Sequence, residues 1–191
     1  MIKVSYRKAE EGGNLSEIAR ELLREALGQN SDCAPEREIV FGPHGKPYFK
    51  GTEPDSDKPS EGEDRVFFNL SHSGSYALCV LSDSEVGCDI QKISRPRDSI
   101  LKRIFHEEER NYILRGGPQE QMAERFTRIW ALRESFIKQT GEGLSRSMRS
   151  FHIDVHDGHA RVVLHGDSSE ETGDLSFYEF KVEDYCCACC Y

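Results

Sequence analysis

The 191-residue sequence lacks most features of specialised chains. No apolar run approaches the roughly 18 residues that cross a bilayer, which excludes a transmembrane helix. The opening "MIKVSYRK" has no apolar signal-peptide core. Its Ile2, Val4 and Tyr6 alternate as on a strand, so a cytoplasmic protein is expected. Cations are in short supply: 25 Lys and Arg face 34 Asp and Glu, a net charge of −9, which argues against nucleic acid as a partner. No Gly-x-Ser-x-Gly elbow is present, so nothing marks a serine as a hydrolase nucleophile. Seven cysteines occur, four of them in the closing "YCCACCY", but without the two separated Cys-x-x-Cys pairs of a zinc site. A terminal strand with reduced, structural thiols is the simpler reading of that segment; a metal or redox site is the sharper one.

What remains is a globular composition, 37% hydrophobic and 31% charged, long enough for a substantial core. The charge is uneven. From Lys92 to Arg149 basic residues outnumber acidic ones 13 to 8, whereas the rest of the chain holds 12 basic and 26 acidic residues. A basic stretch in an acidic chain fits either one anionic partner or a solvated, charge-laced helical surface.

Periodicity gives the elements. "NLSEIARELLREALG" puts Leu15, Ile18, Leu22, Leu23 and Leu27 on one helical face. "REIVFGPHGKPYFKG" reads as two short strands around a turn, and Gly51–Asp64 as a mobile acidic loop. Residues 65–93 predict three strands, with Tyr76–Leu81 apolar on both faces and so central. "RDSILKRIFHEEERNYILRGG" predicts one helix, and "EQMAERFTRIWALRESFIKQTGEG" the longest one, ended by Gly141. "SFHIDVHDGHARVVLHG" is a hairpin turning at Asp157–Gly158, followed by two more strands. The order predicts an α+β fold of two similar halves, 1–84 and 85–191.

Four groups of residues carry chemistry. In "EVGCDIQKI", Val86, Cys88 and Ile90 alternate with Gly87, Asp89 and Gln91, so the carboxylate and the amide share one strand face. On the long helix Trp130, Glu134 and Lys138 recur every four residues and share a stripe; the bland alternative for the last two is a surface ion pair worth roughly 0.2–0.5 kcal/mol. "NLSHSGSYALCV" puts Ser71, His72 and Ser73 on a turn, able to bind phosphate or merely to cap the turn. "GKP" offers Lys46 and Pro47 on a tight turn. A fifth group, His152, Asp154 and His156, would line one strand face and bind a transition metal, but a hairpin showing polar groups to water explains it as well.

The blocks "GKPYF", "FFNLSHSGSYALCV", "VGCDIQKI" and "WALRESFIKQTGEGLS" stand in the order and spacing of one family. The sequence resembles the 4′-phosphopantetheinyl transferases of the surfactin-synthetase-activating type, well from Ile39 to Leu144 and loosely beyond. The last block resembles the family pattern W-[ST]-x-[KR]-E-[AS]-x-x-K-x-x-G-x-G-[LF], with Ala131 the exception. The resemblance implies a pseudo-dimer of two α/β subdomains with the active site between them. It also implies Mg²⁺-dependent transfer of phosphopantetheine from coenzyme A to a serine of an acyl or peptidyl carrier protein, releasing 3′,5′-ADP. It makes Asp89 and Glu134 metal ligands, with Gln91 in the place of the family's usual acid. Lys138 falls beside the pyrophosphate, and Lys46, Pro47, Ser71 and His72 fall at coenzyme A. Glutamine ligates through its carbonyl oxygen but takes no proton, so Glu134 or a water on the metal is left as the base. The segment before the first helix is short for the family, which leaves Ser16, Arg20 and Arg24 as the cations and hydroxyl nearest in sequence for the 3′-phosphate. Arg95, Arg97, Lys102 and Arg103 follow the metal strand and suit an acidic carrier surface. Fused halves predict a monomer. The alternatives are a non-catalytic coenzyme A or carrier binder, against which Asp89, Glu134 and Lys138 argue, and a metal-dependent pyrophosphate hydrolase, for which no motif is present.

Overall fold

The computed structural model describes residues 1–28, 37–54, 65–166 and 175–191; the expected loop 51–64 falls mostly outside them, as does Cys33. Strand β1 (Ile2–Lys8) leads to helix α1 (Leu15–Gly28), the short hairpin β2 (Ile39–Phe41) and β3 (Pro47–Phe49), and strands β4 (Phe67–Ser73) and β5 (Tyr76–Ser82). The second run is β6 (Gly87–Lys92), α2 (Asp98–Ile104), α3 (Glu107–Leu114), α4 (Gln119–Thr140), the hairpin β7 (Phe151–His156) and β8 (His159–Leu164), then β9 (Phe177–Val182) and β10 (Tyr185–Cys190). Two antiparallel three-stranded sheets result, β1-β5-β4 and β6-β10-β9. Each places its last strand in the middle and its first strand at one edge, so the two units repeat one α+β plan.

Three stacked cores hold the layers together. On β5, Ala77, Cys79 and Leu81 pack with Leu22, Leu23 and Leu27 of α1. The alternate residues Tyr76, Leu78 and Val80 meet Val86 just before β6, Cys88 and Ile90 of β6, and Cys187 and Cys189 of β10. Beyond the second sheet, Ile129, Leu132 and Phe136 of α4 pack with Phe151, Ala188 and Cys190. The cysteine-rich segment is therefore the central strand of the second sheet, and burial pushes the Cys189 and Cys190 thiols up to about 12. That keeps them protonated and suits small apolar residues in a crowded interior. No helix among the described residues is long and apolar enough to cross a membrane.

Two local expectations are corrected. The single helix predicted from residue 97 to 117 breaks at Phe105 and His106, which are extended. The His106 N–H donates instead to Glu109 Oε2 at 2.9 Å, which starts α3 afresh. And Ser71, His72 and Ser73 lie within β4; the turn follows at Gly74 and Ser75.

The break serves a buried ion pair. Glu109 and Arg133 are 0% and 1% exposed at the side chain and meet at 2.7 Å. Glu109 Oε1 also accepts from the Ile153 N–H at 2.9 Å, and Arg133 donates to the carbonyls of Phe151 and Met148. Its guanidinium stacks on Phe151, 4.3 Å from the ring centre. One pair thus ties α3, α4 and β7 together; hydrogen bonds compensate it except at Arg133 Nε, which is buried without a partner among the described residues. Arg133→Met should destabilise the protein by roughly 3–5 kcal/mol in urea unfolding, by stranding a buried carboxylate. Glu109→Gln with Arg133→Met should lose clearly less than the sum of the single changes; strict additivity would contradict the coupling.

Candidate active site

The site is assembled where the two sheets meet. Strand β6 is an edge strand, and an edge leaves backbone N–H groups to be satisfied. Here side chains of β4 do it: Asn69 Oδ1 accepts from Cys88 N–H at 3.0 Å, Ser71 Oγ from Ile90 N–H at 3.3 Å and Ser73 Oγ from Lys92 N–H at 3.3 Å. The odd-numbered residues of β4 therefore all face β6, as the period of two requires. His72 faces the other way, exposed, with its Nε2 3.2 Å from Ser16 Oγ in the first turn of α1. Asn14 caps that turn, its side-chain oxygen accepting from Ser16 and Glu17 N–H at 3.1 and 3.3 Å. So Ser71 and His72, grouped by their adjacency in the chain, are separated by the strand. Arg20 and Arg24 lie on the exposed side of α1 beside Glu17.

On the far side of β6, Gly87 lets the strand press against α4. A Cβ on Gly87 would lie 2.1 Å from the Ser135 carbonyl oxygen and 2.2 Å from Gln139 N, so only glycine fits. This contact brings Asp89 to Lys138: Nζ donates to Asp89 Oδ1 at 2.6 Å, to Ser71 Oγ at 3.0 Å and to the Cys88 carbonyl at 3.1 Å. Ser71 Oγ donates in turn to Asp89 Oδ1 at 2.8 Å. With one proton given and two bonds accepted, the Ser71 hydroxyl has no capacity left for a ligand. It positions the carboxylate.

Asp89 is 2% exposed, yet its Oδ2 has no hydrogen-bond partner. A buried carboxylate oxygen left unpaired is costly, and usually means an absent cation or solvent group. Glu134, one helical turn before Lys138, is partly buried; burial and then the charge on Asp89 raise its carboxyl above the ordinary value. Burial works against the Lys138 ammonium, but with Asp89 beside it the group ends above its ordinary value and stays charged. Gln91 sits on the same strand face as Asp89, its Oε1 3.4 Å from Ser73 Oγ.

A cleft of about 230 Å³ runs from Lys138 along Asn69 to Lys46, Pro47 and Gly141. Lys46 is not the exposed turn cation that its place in "GKP" allows. It is 7% exposed and donates to Glu85 Oε2 at 2.6 Å and to the Gln139 carbonyl at 2.9 Å. Gly141 ends α4 in the left-handed region at φ 73°, and a Cβ there would meet the Tyr48 hydroxyl at 2.6 Å. The structure thus gathers Asp89, Glu134, Lys138 and Ser71 into one cluster, puts Lys46 and Pro47 on the adjoining cleft and leaves His72 by α1. Glu85, Asn69 and Gly87 escaped the sequence reading. Only Gly87 carried a signal, as a glycine inside a strand pattern.

A family model described as the 4′-phosphopantetheinyl transferase superfamily matches residues 85–190. The chain belongs to that superfamily. Among named relatives, 4′-phosphopantetheinyl transferase gsp of Aneurinibacillus migulanus is 34% identical over 65% of this chain and 51% of its own length. The Sfp transferase of Bacillus subtilis strain 168 is 38% identical over 51% and 43% respectively. The AcpT transferase of Salmonella typhimurium is 39% identical over 64% and 56%. The chain therefore spans about half the length of the curated relatives it matches. A holo-[acyl-carrier-protein] synthase of Thermotoga maritima aligns over 56% of this chain and 61% of its own, at 20% identity and a TM-score of 0.44. The matched segment of this superfamily member contains Asp89, Gln91, Glu134 and Lys138.

The raised Glu134 carboxyl gives a pH signature. Between the ordinary glutamate value of 4.5 and the raised one, the folded chain holds a proton that the unfolded chain releases. Stability must then fall as pH rises through that window and stay lower above it. Glu134→Gln should remove the fall and raise the melting temperature of the metal-free protein at neutral pH, as read by calorimetry across pH. A profile superimposing on that of the parent protein would contradict the burial of this charge.

Proposed function

We propose that this chain transfers the 4′-phosphopantetheine arm of coenzyme A to a serine of an acyl or peptidyl carrier protein, with Mg²⁺, releasing 3′,5′-ADP. The observation that carries the reading is the Asp89 carboxylate of a superfamily member, clamped at Oδ1 by Lys138 and Ser71 and unpaired at the buried Oδ2. Oxygen donors of this kind suit Mg²⁺, which favours carboxylates together with phosphates and waters. Asp89 and Glu134 would hold the ion, with Gln91 contributing its carbonyl oxygen from the same strand face. When bound, Mg²⁺ supplies positive charge to the pyrophosphate.

The transfer makes a bond from the serine oxygen to the β-phosphorus and breaks the bond to the ADP oxygen, which leaves with the electron pair. Positioning and charge stabilisation carry most of such a reaction. Lys138, protonated and one turn from Glu134, neutralises the departing phosphate oxygen. Glu134, the carboxylate one turn from Lys138, would take the serine proton. Gln91 cannot do so. Lys46, held by Glu85 and the end of α4, offers a fixed cation along the cleft that would receive coenzyme A. Ser16 and His72 stand together at the first turn of α1, where a further phosphate would find donors.

Incubation with coenzyme A, Mg²⁺ and an apo carrier protein, followed by mass spectrometry of the carrier, tests the reading. A gain of one phosphopantetheine is expected, abolished by Asp89→Ala. Cleaved coenzyme A beside an unmodified carrier would indicate a hydrolase. Binding without either change would indicate a non-catalytic binder.

The docking surface is part of the proposal. Exposed Arg95 and Arg97 border a recess of about 350 Å³ with Gln91, Ile100 and Trp130, and Lys102 and Arg103 lie exposed on the adjoining α2. An apolar floor rimmed by cations beside the metal strand suits an acidic carrier helix. Charge reversal at Arg97 and Lys102 should raise the KM for the carrier, with a weaker dependence on salt, and leave that for coenzyme A nearly unchanged. Equal KM values for the carrier would end the docking assignment.

A further inference from the structure

A second cluster lies away from Asp89, where α3 meets the β7–β8 hairpin. His106 precedes α3, His152 is the second residue of β7, and His165 directly follows β8. One ring nitrogen from each lies within 4.8 Å of the other two. His152 Nδ1 and His165 Nε2 are 2.8 Å apart, and the His106 and His165 rings stack at 4.2 Å. The companions named with His152 in the sequence do not share this place. Asp154 pairs with Arg161, and His156 is exposed beside Asp157. His152 is 7% exposed rather than displayed to water.

His152 and His165 are joined by one ring-to-ring hydrogen bond. A neutral imidazole carries one lone pair that can ligate a metal. His106 Nε2 donates to the Arg149 carbonyl at 2.9 Å, the kind of second bond that fixes the tautomer of a metal-bound histidine. The backbone beneath is firm: the neighbouring Glu109 and Ile153 belong to the buried Arg133 network.

We propose that His106, His152 and His165 form a structural site for a borderline transition-metal ion of the Zn²⁺ class, separate from the carboxylate site. Imidazole nitrogen selects such ions over Mg²⁺. Entry of the ion takes the place of the His152–His165 hydrogen bond; the donor ring carries its proton on its other nitrogen instead, so both imidazoles stay neutral. Their nitrogens then open to about 3.3 Å, the edge of a tetrahedron with bonds of about 2.0–2.1 Å. The ion fastens the β7–β8 hairpin to the start of α3, and water completes four-coordination. This assignment stands independently of the transfer reaction.

The full chain should take up one Zn²⁺ in calorimetric titration with Mg²⁺ in excess, and its melting temperature should rise with Zn²⁺. Co²⁺ used as a probe should give the visible bands of a tetrahedral nitrogen site. His165→Ala, at a half-exposed position outside any strand, should weaken uptake by at least about tenfold, the smallest loss expected when even a supporting partner of a metal ligand is removed. His106→Ala should do the same, while Asp89→Asn should leave uptake unchanged. The proposal fails if the folded parent protein binds no Zn²⁺, if both histidine variants bind it as tightly as the parent, or if Asp89→Asn abolishes the uptake.

Discussion

The side-chain oxygens of Asn69, Ser71 and Ser73 on the edge amides of β6 are the interaction on which the rest depends. A backbone ladder between β4 and β6 would merge the two sheets and leave those side chains free to point elsewhere. Side-chain acceptors instead satisfy the edge while holding the sheets as separate layers. Ser71 does two things at once, since the hydroxyl that accepts from Ile90 also grips Asp89 and Lys138. The junction of the halves and the candidate reaction centre are therefore one hydrogen-bonded unit. Loosening one loosens the other.

Helix α4 carries two charges of opposite character, one buried and one partly buried. Arg133 and Glu134 are adjacent, so their side chains leave the helix about 100° apart. Arg133 goes into the interior and finds Glu109, two carbonyls and an aromatic face. Glu134 turns to the β6 side, where Asp89 repels it and no hydrogen bond compensates for burial. The first arrangement is structural and, among the described residues, lacks a partner only at Arg133 Nε. The second is left short of positive charge.

The sequence made visible what depends on short-range period. Alternation placed Asp89 and Gln91 on one face, four-residue spacing paired Glu134 with Lys138, and Asp157–Gly158 marked the hairpin. The same period, applied to "NLSHS", would have separated Ser71 from His72; the Gly74 turn signal was allowed to reach three residues too far. The helix break at Phe105 and His106 was hidden because its cause, the engagement of Glu109 with Arg133 and Ile153, spans 24 and 44 residues. Lys46 looked like an exposed turn cation because Glu85 and the Gln139 carbonyl lie 39 and 93 residues away. The histidines followed the same logic. His152 was noticed, but its neighbours in the chain drew attention from the two that the fold supplies.

Gly87 sets the spacing of the carboxylate from the helix that carries its cation, because backbone there touches backbone. That makes the position a gauge rather than a participant. Arg95 and Arg97, by contrast, are exposed side chains whose replacement leaves the backbone beneath them in place. The gap between Asp89 and Lys138 has no such freedom, since the smallest addition at residue 87 forces strand and helix apart. The fold thus keeps a rigid interval under an adaptable surface.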